Sequence, residues 1–357
     1  MTPTRLLTSP CVVDLVADIE ACFARGYTDG LPVVPPYAEL VDDMLGALGW
    51  RASEVLAVDG ELRLEFRAEQ VASIAVMAGC ETAYARVLRP LTELLLAPTF
   101  NLRGVATTTG GVAVLVIVSG RVVEELGFPT GSNALGAPVR ASATIGRFAQ
   151  LLRHLFGRAG GLLDEFGTIG HPGRLSYCLA EQRDTLWPPF HTQYGLPDDE
   201  SCVAAMAAEG PNSVNNHYAE TGAHILETIA SALAHYGTTN YYYQGGGYLV
   251  MLAPEHMRLV AAEFTRDAAR QFLFEHAVVH TRELARIGRI PRGIDQVRGV
   301  DMDVARSPAA HPDQISFIEA GGPAGKFSAI IPGWVANVTH VKGLAGGRVA
   351  VSRKGVF

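Results

Sequence analysis

Thr107-Thr108-Thr109-Gly110-Gly111-Val112-Ala113-Val114-Leu115-Val116-Ile117-Val118-Ser119-Gly120 is the stretch that decides the fold. The apolar run from Val112 to Val118 is bounded by Gly111 and Gly120 and is strand-sized. It falls far short of the ~18–20 apolar residues of a membrane span. Its Val, Leu and Ile residues show no polar alternation, which is the pattern of a strand buried on both faces. Such a strand needs helices to cover it. Helical spacing flanks it, over 69–78 and 82–96 before and 141–156 after.

Outward from this centre the pattern repeats. Strands are expected at 175–180 and 202–208, a helix at 220–235, a strand at 248–252, and helices at 255–263 and 266–279. The tail returns to strands near 315–319, 336–341 and 347–351, while Arg289 to Asp313 reads as a long surface excursion. Towards the N-terminus, Ser9 caps and Pro10 starts a helix over Cys11–Arg25. Thr28 to Pro36 carries Pro32, Pro35 and Pro36, so it forms a stiff non-helical strap expected to lie across the site. A helix from Tyr37 to Leu48 follows. The alternation predicts an α/β (or α+β) fold of two intimately packed halves, 1–165 and 166–357, with mixed sheets flanked by helices. A faint echo links the halves. Cys80, a helix, Thr107–Gly111 and the strand Val112–Val118 are matched by His217, a helix, Thr238–Gly247 and the strand Tyr248–Leu252. A duplication would place Cys80 and His217 at equivalent helix N-termini.

Composition narrows the function. Hydrophobic residues make up 48% of the 357, too many for a disordered chain. The net charge of −7 and the lack of a Lys/Arg run leave no footprint for nucleic acid. No signal peptide or membrane span is evident, and five cysteines without framework spacing suit a reduced, cytoplasmic protein. Gly321-Gly322-Pro323-Ala324-Gly325-Lys326 mimics a phosphate loop but has Ala320 where the first Gly is needed and Phe327 where Ser or Thr is needed. No dinucleotide fingerprint, nucleophile elbow, CxxC pair or HExxH helix occurs, so no nucleotide cofactor is expected. His276 and His280, spaced i,i+4 on an expected helix, leave a metal ion open.

Three segments can carry chemistry. Cys80, in Ala78-Gly79-Cys80-Glu81-Thr82, is expected at a helix N-terminus, where backbone dipoles lower a thiol's pKa and make it a nucleophile. The alternative is a cysteine that fills space. Glu209-Gly210-Pro211-Asn212-Ser213-Val214-Asn215-Asn216-His217 follows a buried strand and precedes a helix. Its amides would orient a polar substrate and His217 would move protons; helix capping is the plain alternative. Glu181, at the end of the 175–180 strand, is the third catalytic candidate. Asn133, Arg140 and Arg147 flank Gly131 and Gly136 and suit a carboxylate. Asp29, Glu209 and Lys326 complete the candidate substrate-binding set.

Tyr27-Thr28-Asp29-Gly30-Leu31-Pro32-Val33-Val34-Pro35-Pro36 resembles the opening of a bacterial family of poorly defined function. Members often occur beside, or fused to, a domain with a UGSC or CGSC selenoprotein-like motif. Further similar pieces are Ala75–Cys80, Ser132–Gly136, Ala143–Arg147, Ala180-Glu181, Pro254–His256 and Ala320–Lys326. The resemblance implies a separate UGSC-type partner protein, since this chain has no such motif. It also marks departures: the family pattern has His at the position of Asn212 and Asp at that of Asn216, and lacks the Tyr241-Tyr242-Tyr243 run. Amides in place of two titratable groups suggest a distinct substrate, as in specialised biosynthesis.

The leading expectation is a small-molecule enzyme with lyase, hydrolase or group-transfer chemistry on a small polar or anionic substrate. Cys80 would act with His217 and Glu181 across one cleft. A metal-dependent enzyme using His and Glu ligands and a non-catalytic binding or partner subunit are the alternatives. The expected partner is the small-molecule substrate, in a homo-oligomer, with neither nucleic acid nor membrane.

Overall fold

The computed structural model describes residues 13–59, 64–159, 167–238, 247–289, 302–334, 339–345 and 349–351. Helices α1 (Val13–Ala24) and α2 (Ala38–Leu48) precede a hairpin of β1 (Val55–Asp59) and β2 (Leu64–Arg67). Then come α3 (Ala68–Ala78), α4 (Ala85–Leu96), α5 (Leu102–Thr107), β3 (Ala113–Ser119), α6 (Val122–Glu125), α7 (Arg140–Ala159), β4 (Cys178–Ala180) and β5 (Cys202–Ala208). The chain continues through β6 (Asn212–Asn215), α8 (Gly222–Leu233), β7 (Tyr248–Leu252), α9 (Pro254–Glu263) and α10 (Arg266–His276). It closes with β8 (Val279–His280), α11 (Thr281–Arg286), β9 (Ala305–Arg306), β10 (Ile315–Glu319), β11 (Phe327–Pro332), β12 (His340–Gly343) and β13 (Val349–Val351).

Side-chain alternation sorts these strands into layers. In β3, Val114, Val116 and Val118 join the helices α3, α4, α5 and α7, while Ala113, Leu115 and Ile117 face inward. In β7, Tyr248, Val250 and Leu252 meet α8, α9 and α10, while Leu249 faces inward. The inward faces share one apolar layer that includes Met206, Ile318, Ile331 and Val341. The result is a helix–sheet–sheet–helix stack, an α/β fold with mixed sheets flanked by helices. The run 112–118 is apolar throughout because one face meets helices and the other meets a second sheet.

The two sheets repeat one topology. In the five-stranded sheet, ordered β13-β12-β5-β3-β4, β3 runs parallel to β4 and antiparallel to β5. In the four-stranded sheet, ordered β10-β7-β11-β6, β7 runs parallel to β10 and antiparallel to β11. After β5 the chain crosses to the other sheet, where β6 pairs with β11. After β11 it crosses back, and β12 pairs with β5. At the crossing, Glu209 N donates to Pro332 O and Trp334 N to Ala207 O, both at 2.8 Å, so each half makes the same bond to the other. The duplication is therefore present in the topology. β6 and β12 take equivalent places, so the repeat boundary lies between β6 and α8, and the expected division at 165/166 falls inside the first repeat.

Six strands, β1, β2, β6, β8, β9 and β11, are not among those expected from apolar patterning. Asn212–Asn215, expected as a loop, is β6, an edge strand on which only Val214 is buried. Phe327–Pro332, beyond the glycine-rich turn, is β11. The helix expected over 266–279 stops at His276. Ser9, Pro10, Tyr241 to Tyr243 and the 290–301 part of the excursion lie outside the described residues, as do parts of the last two expected strands. Among the described residues no helix is long and apolar enough to cross a membrane.

Candidate functional site

The candidate residues do not form one cluster. Cys80 stands just past α3, whose end is marked by Gly79 at φ +85, with Cys80 N bonded to Ala75 O at 3.0 Å. It is thus at the carbonyl end of a helix, where the dipole disfavours a thiolate. It is buried within the helix-side core, and burial pushes its thiol up to about 12 despite Thr144 and Arg140 nearby. The expected lowered pKa is corrected by burial, while Cys80 does stand just before the helical turn Thr82–Tyr84 that leads into α4, as expected. Cys80 and His217 do stand at equivalent places, each five residues ahead of a twelve-residue helix, α4 and α8. Yet they face different surroundings. His217 is exposed after edge strand β6, with its ring against Phe327, and neither residue lines the three clefts walled by Arg89, Gln70 and Arg266.

The remaining candidates divide into local structures. Asp29 is clamped to Arg147, which fixes the strap over α7, while Val34 N bonds Met77 O of α3. Arg140, offered as a carboxylate partner, instead donates to Gly79 O and pairs with Glu81 at the end of α3. Asn133 takes φ +61 in the turn that closes on Gly136, and its neighbour Ser132 lies against Gly322. Glu209 belongs to the crossing, with its carbonyl accepting from Tyr177 Oη. Asn212 and Asn215 are exposed on β6. Asn216 Nδ2 donates to Thr228, and Lys326 Nζ donates to the His217 carbonyl at 2.9 Å. The amides of Gly325 and Lys326 turn towards Glu255, whose carboxyl is held below its ordinary value chiefly by the Lys326 N–H. An internal carboxylate therefore occupies the turn that mimics a phosphate loop.

His276 and His280 do not share a helix face. His276 pairs with Glu227 and His280 Nδ1 meets the Asp303 carbonyl. Among the described residues no three His, Cys, Asp or Glu side chains converge as metal ligands.

Glu181 is different. It follows β4 at the carboxyl end of the parallel pair β3–β4, the usual ligand position in α/β sheets. It is 4% exposed, and its side chain points into the layer between the sheets. Glu181 Oε2 is hydrogen-bonded to Ser119 Oγ, and both carboxyl oxygens accept from Phe190 N, at 2.8 and 3.0 Å. Ser119 Oγ also lies 2.8 Å from His191 Nδ1, and both residues are fully enclosed. Burial pushes the Glu181 carboxyl up to about 7, against the opposing pull of Ser119, Phe190 N and Arg266. Cys202, opposite Ser119 on β5, is kept a neutral thiol by burial.

Arg266 acts on this buried group through its charge and also lines a surface cleft. It starts α10, and its Nη atoms donate to Thr192 Oγ1 at 3.0 Å and Pro189 O at 3.4 Å. Its enclosed Nε has no hydrogen-bond partner. Arg266 and Arg270 line a cleft of about 820 Å³ with Trp187, Thr192, Gln193 and Phe264. Ser119, His191 and Arg266 are absent from the candidates that sequence patterning supplies. His191 directly follows the apolar stretch Trp187-Pro188-Pro189-Phe190, and a histidine there is the one signal that points to the group. No family model matches the chain, and no curated protein matches it.

Proposed function

We propose that this chain is an enzyme acting on a small polar or anionic molecule, by lyase, hydrolase or group-transfer chemistry. The substrate would enter the Arg266–Arg270 cleft, and Glu181 would serve as the proton donor behind it. The observation that carries this reading is Glu181 itself. A buried carboxyl titrating near neutrality beside the guanidinium that lines a cleft is a group tuned for acid–base work. Cys80 has no part in it, because a buried neutral thiol is a poor nucleophile. A metal-dependent mechanism has no ligand set in its favour among the described residues.

The four described cysteines are buried and unpaired, which supports a reducing, cytoplasmic setting. The expected partners stay the same: the small-molecule substrate, further copies of the chain and a separate UGSC-type protein.

The test is a binding and turnover screen of small mono- and dicarboxylates and phosphate esters against the purified protein. A ligand that raises the melting temperature should lose that effect in Arg266→Gln. Glu181→Gln should keep the binding and lose turnover by at least about 100-fold. Binding that ignores Arg266→Gln, or turnover that survives Glu181→Gln, would overturn the proposal.

A further inference from the structure

The hydrogen bonds around Ser119 set a proton count. His191 Nε2 lies 2.8 Å from the Pro197 carbonyl, which can only accept, so Nε2 carries a hydrogen. Nδ1 is then either a bare lone pair or, in the imidazolium, a second donor. Ser119 brings one hydrogen and faces both Nδ1 and Glu181 Oε2. If Glu181 were ionised and His191 neutral, one of those two contacts would set lone pair against lone pair in an enclosed site. Such an unsatisfied buried pair is strongly disfavoured. If both were protonated, an extra positive charge would be buried between the sheets. One proton shared between carboxyl and imidazole satisfies every contact.

We infer that Glu181, Ser119 and His191 form a proton relay holding a single proton, which rests on Glu181 and passes through Ser119 to His191. In the transfer the Glu181 Oε2–H bond breaks as a Ser119 Oγ–H bond forms, and the original Ser119 hydrogen moves to His191 Nδ1. The products are a carboxylate and an imidazolium, so the net charge of the trio is unchanged. His191 and Ser119 are positioning residues in this scheme.

The surrounding groups act in both directions. Arg266 and the Phe190 N–H favour the carboxylate, and Glu319 favours the acid. Cys202, whose side chain also meets Ser119, is kept a neutral thiol by burial and adds no charge. On the other side Asp198 and Glu200 favour the imidazolium, whereas burial holds His191 below its ordinary value. Burial of both ends selects the neutral pair at rest, and the flanking charges keep the charged pair within reach.

The proton count follows from hydrogen bonding and the resting place from the burial of both ends, while its use in turnover rests on the function proposed above. Infrared difference spectra of the wild-type protein against Glu181→Gln should show the carbonyl stretch of a protonated carboxyl at about pH 6, lost as pH rises past neutrality. Nitrogen-15 spectra of histidine-labelled protein, assigned with His191→Gln, should show Nε2 protonated and Nδ1 bare at rest. A shift of the proton at constant pH, driven by temperature, should exchange the carboxyl band for a protonated Nδ1 at His191 in the wild type and not in Ser119→Ala. If Ser119→Ala does not fold, the wild-type spectra decide alone. No carboxyl band at about pH 6, or a resting His191 protonated at Nδ1, would overturn the relay. Full turnover in Glu181→Gln with the band in place would overturn the functional proposal and leave the relay standing.

Discussion

Arg147 reaches across to Asp29 with two parallel hydrogen bonds, Nε to Oδ2 at 2.8 Å and Nη2 to Oδ1 at 2.7 Å. The same Nη2 also donates to the carbonyls of Leu31 and Pro32 at 3.2 and 3.0 Å. Three prolines stiffen the strap, and this fork fixes where it lies. Burial alone would raise the Asp29 carboxyl, but the bonds and charge of Arg147 outweigh it and hold it below its ordinary value.

The first prediction follows from that sign. A carboxyl with a lowered folded pKa stabilises above its unfolded value, about 4, and the benefit is lost as pH falls through the folded value. Asp29→Asn should cost about 1–3 kcal/mol at neutral pH, less than a deeply buried pair because the strap is near solvent. It should also reduce acid sensitivity below about pH 4. Urea unfolding at neutral and acid pH checks both, and an unchanged neutral midpoint would mean that the prolines and Val34 hold the strap unaided.

Glu181 gives the opposite slope. Its folded value near 7 exceeds the unfolded carboxylate value of about 4.3, so the native state binds the extra proton between them. Its contribution is fully present below about pH 4.3 and lost as pH rises through 7, a change on the order of 3 kcal/mol. Glu181→Gln keeps an acceptor for Phe190 N and a donor for Ser119. Its stability should therefore be flatter across that window and exceed wild type above pH about 8. Denaturant midpoints measured from pH about 5 to 8 decide it.

Thiol labelling tests the burial of Cys80. Cys22, Cys80, Cys178 and Cys202 are buried, and burial raises each thiol. Cys80 should be alkylated at least about 100-fold more slowly in the native protein than in denaturant. Fast native labelling, read by peptide mass, would restore the reactive thiolate expected from sequence.

Gly146 explains a fragment of sequence that otherwise has only resemblance behind it. A Cβ there would stand 2.8 Å from Tyr177 N and overlap Ser176 Oγ, where α7 lies on β4. Backbone cannot yield as a flexible side chain can, so Gly146→Ala should destabilise by about 1–3 kcal/mol. At Gly46, in α2, an added Cβ would meet nothing within 4 Å, and Gly46→Ala should stabilise by up to about 1 kcal/mol. The pair of thermal melts forms its own control.

Much of the fold is legible in the sequence because burial writes itself into hydrophobic pattern. The strands β3, β5 and β7 are apolar on both faces, and their expected bounds of 112–118, 202–208 and 248–252 agree with the structure to within a residue. The polar edge strand β6 is not legible, since three of its four residues face solvent and read as a loop. The site is legible only in part. Glu181 stands out because a carboxyl ends an apolar strand. Ser119 and His191 do not, because their meaning is a contact between residues 72 apart, which no local pattern carries. Cys80 misleads because its segment ends one helix and precedes the next, and local sequence does not say which helix end controls the thiol.

The crossed strands have a last consequence. Each repeat lends a strand to the other, so the chain is built as a swapped dimer joined into one polypeptide. A true dimer must carry any change twice. A fused one need not. Glu181 N bonds Val118 O, and Ala320 N makes the same bond to Leu252 O, so alanine occupies in the second repeat the place that the carboxyl holds in the first. One repeat thus holds a buried acid at a place where its twin carries alanine, an asymmetry that a dimer of identical chains could not have.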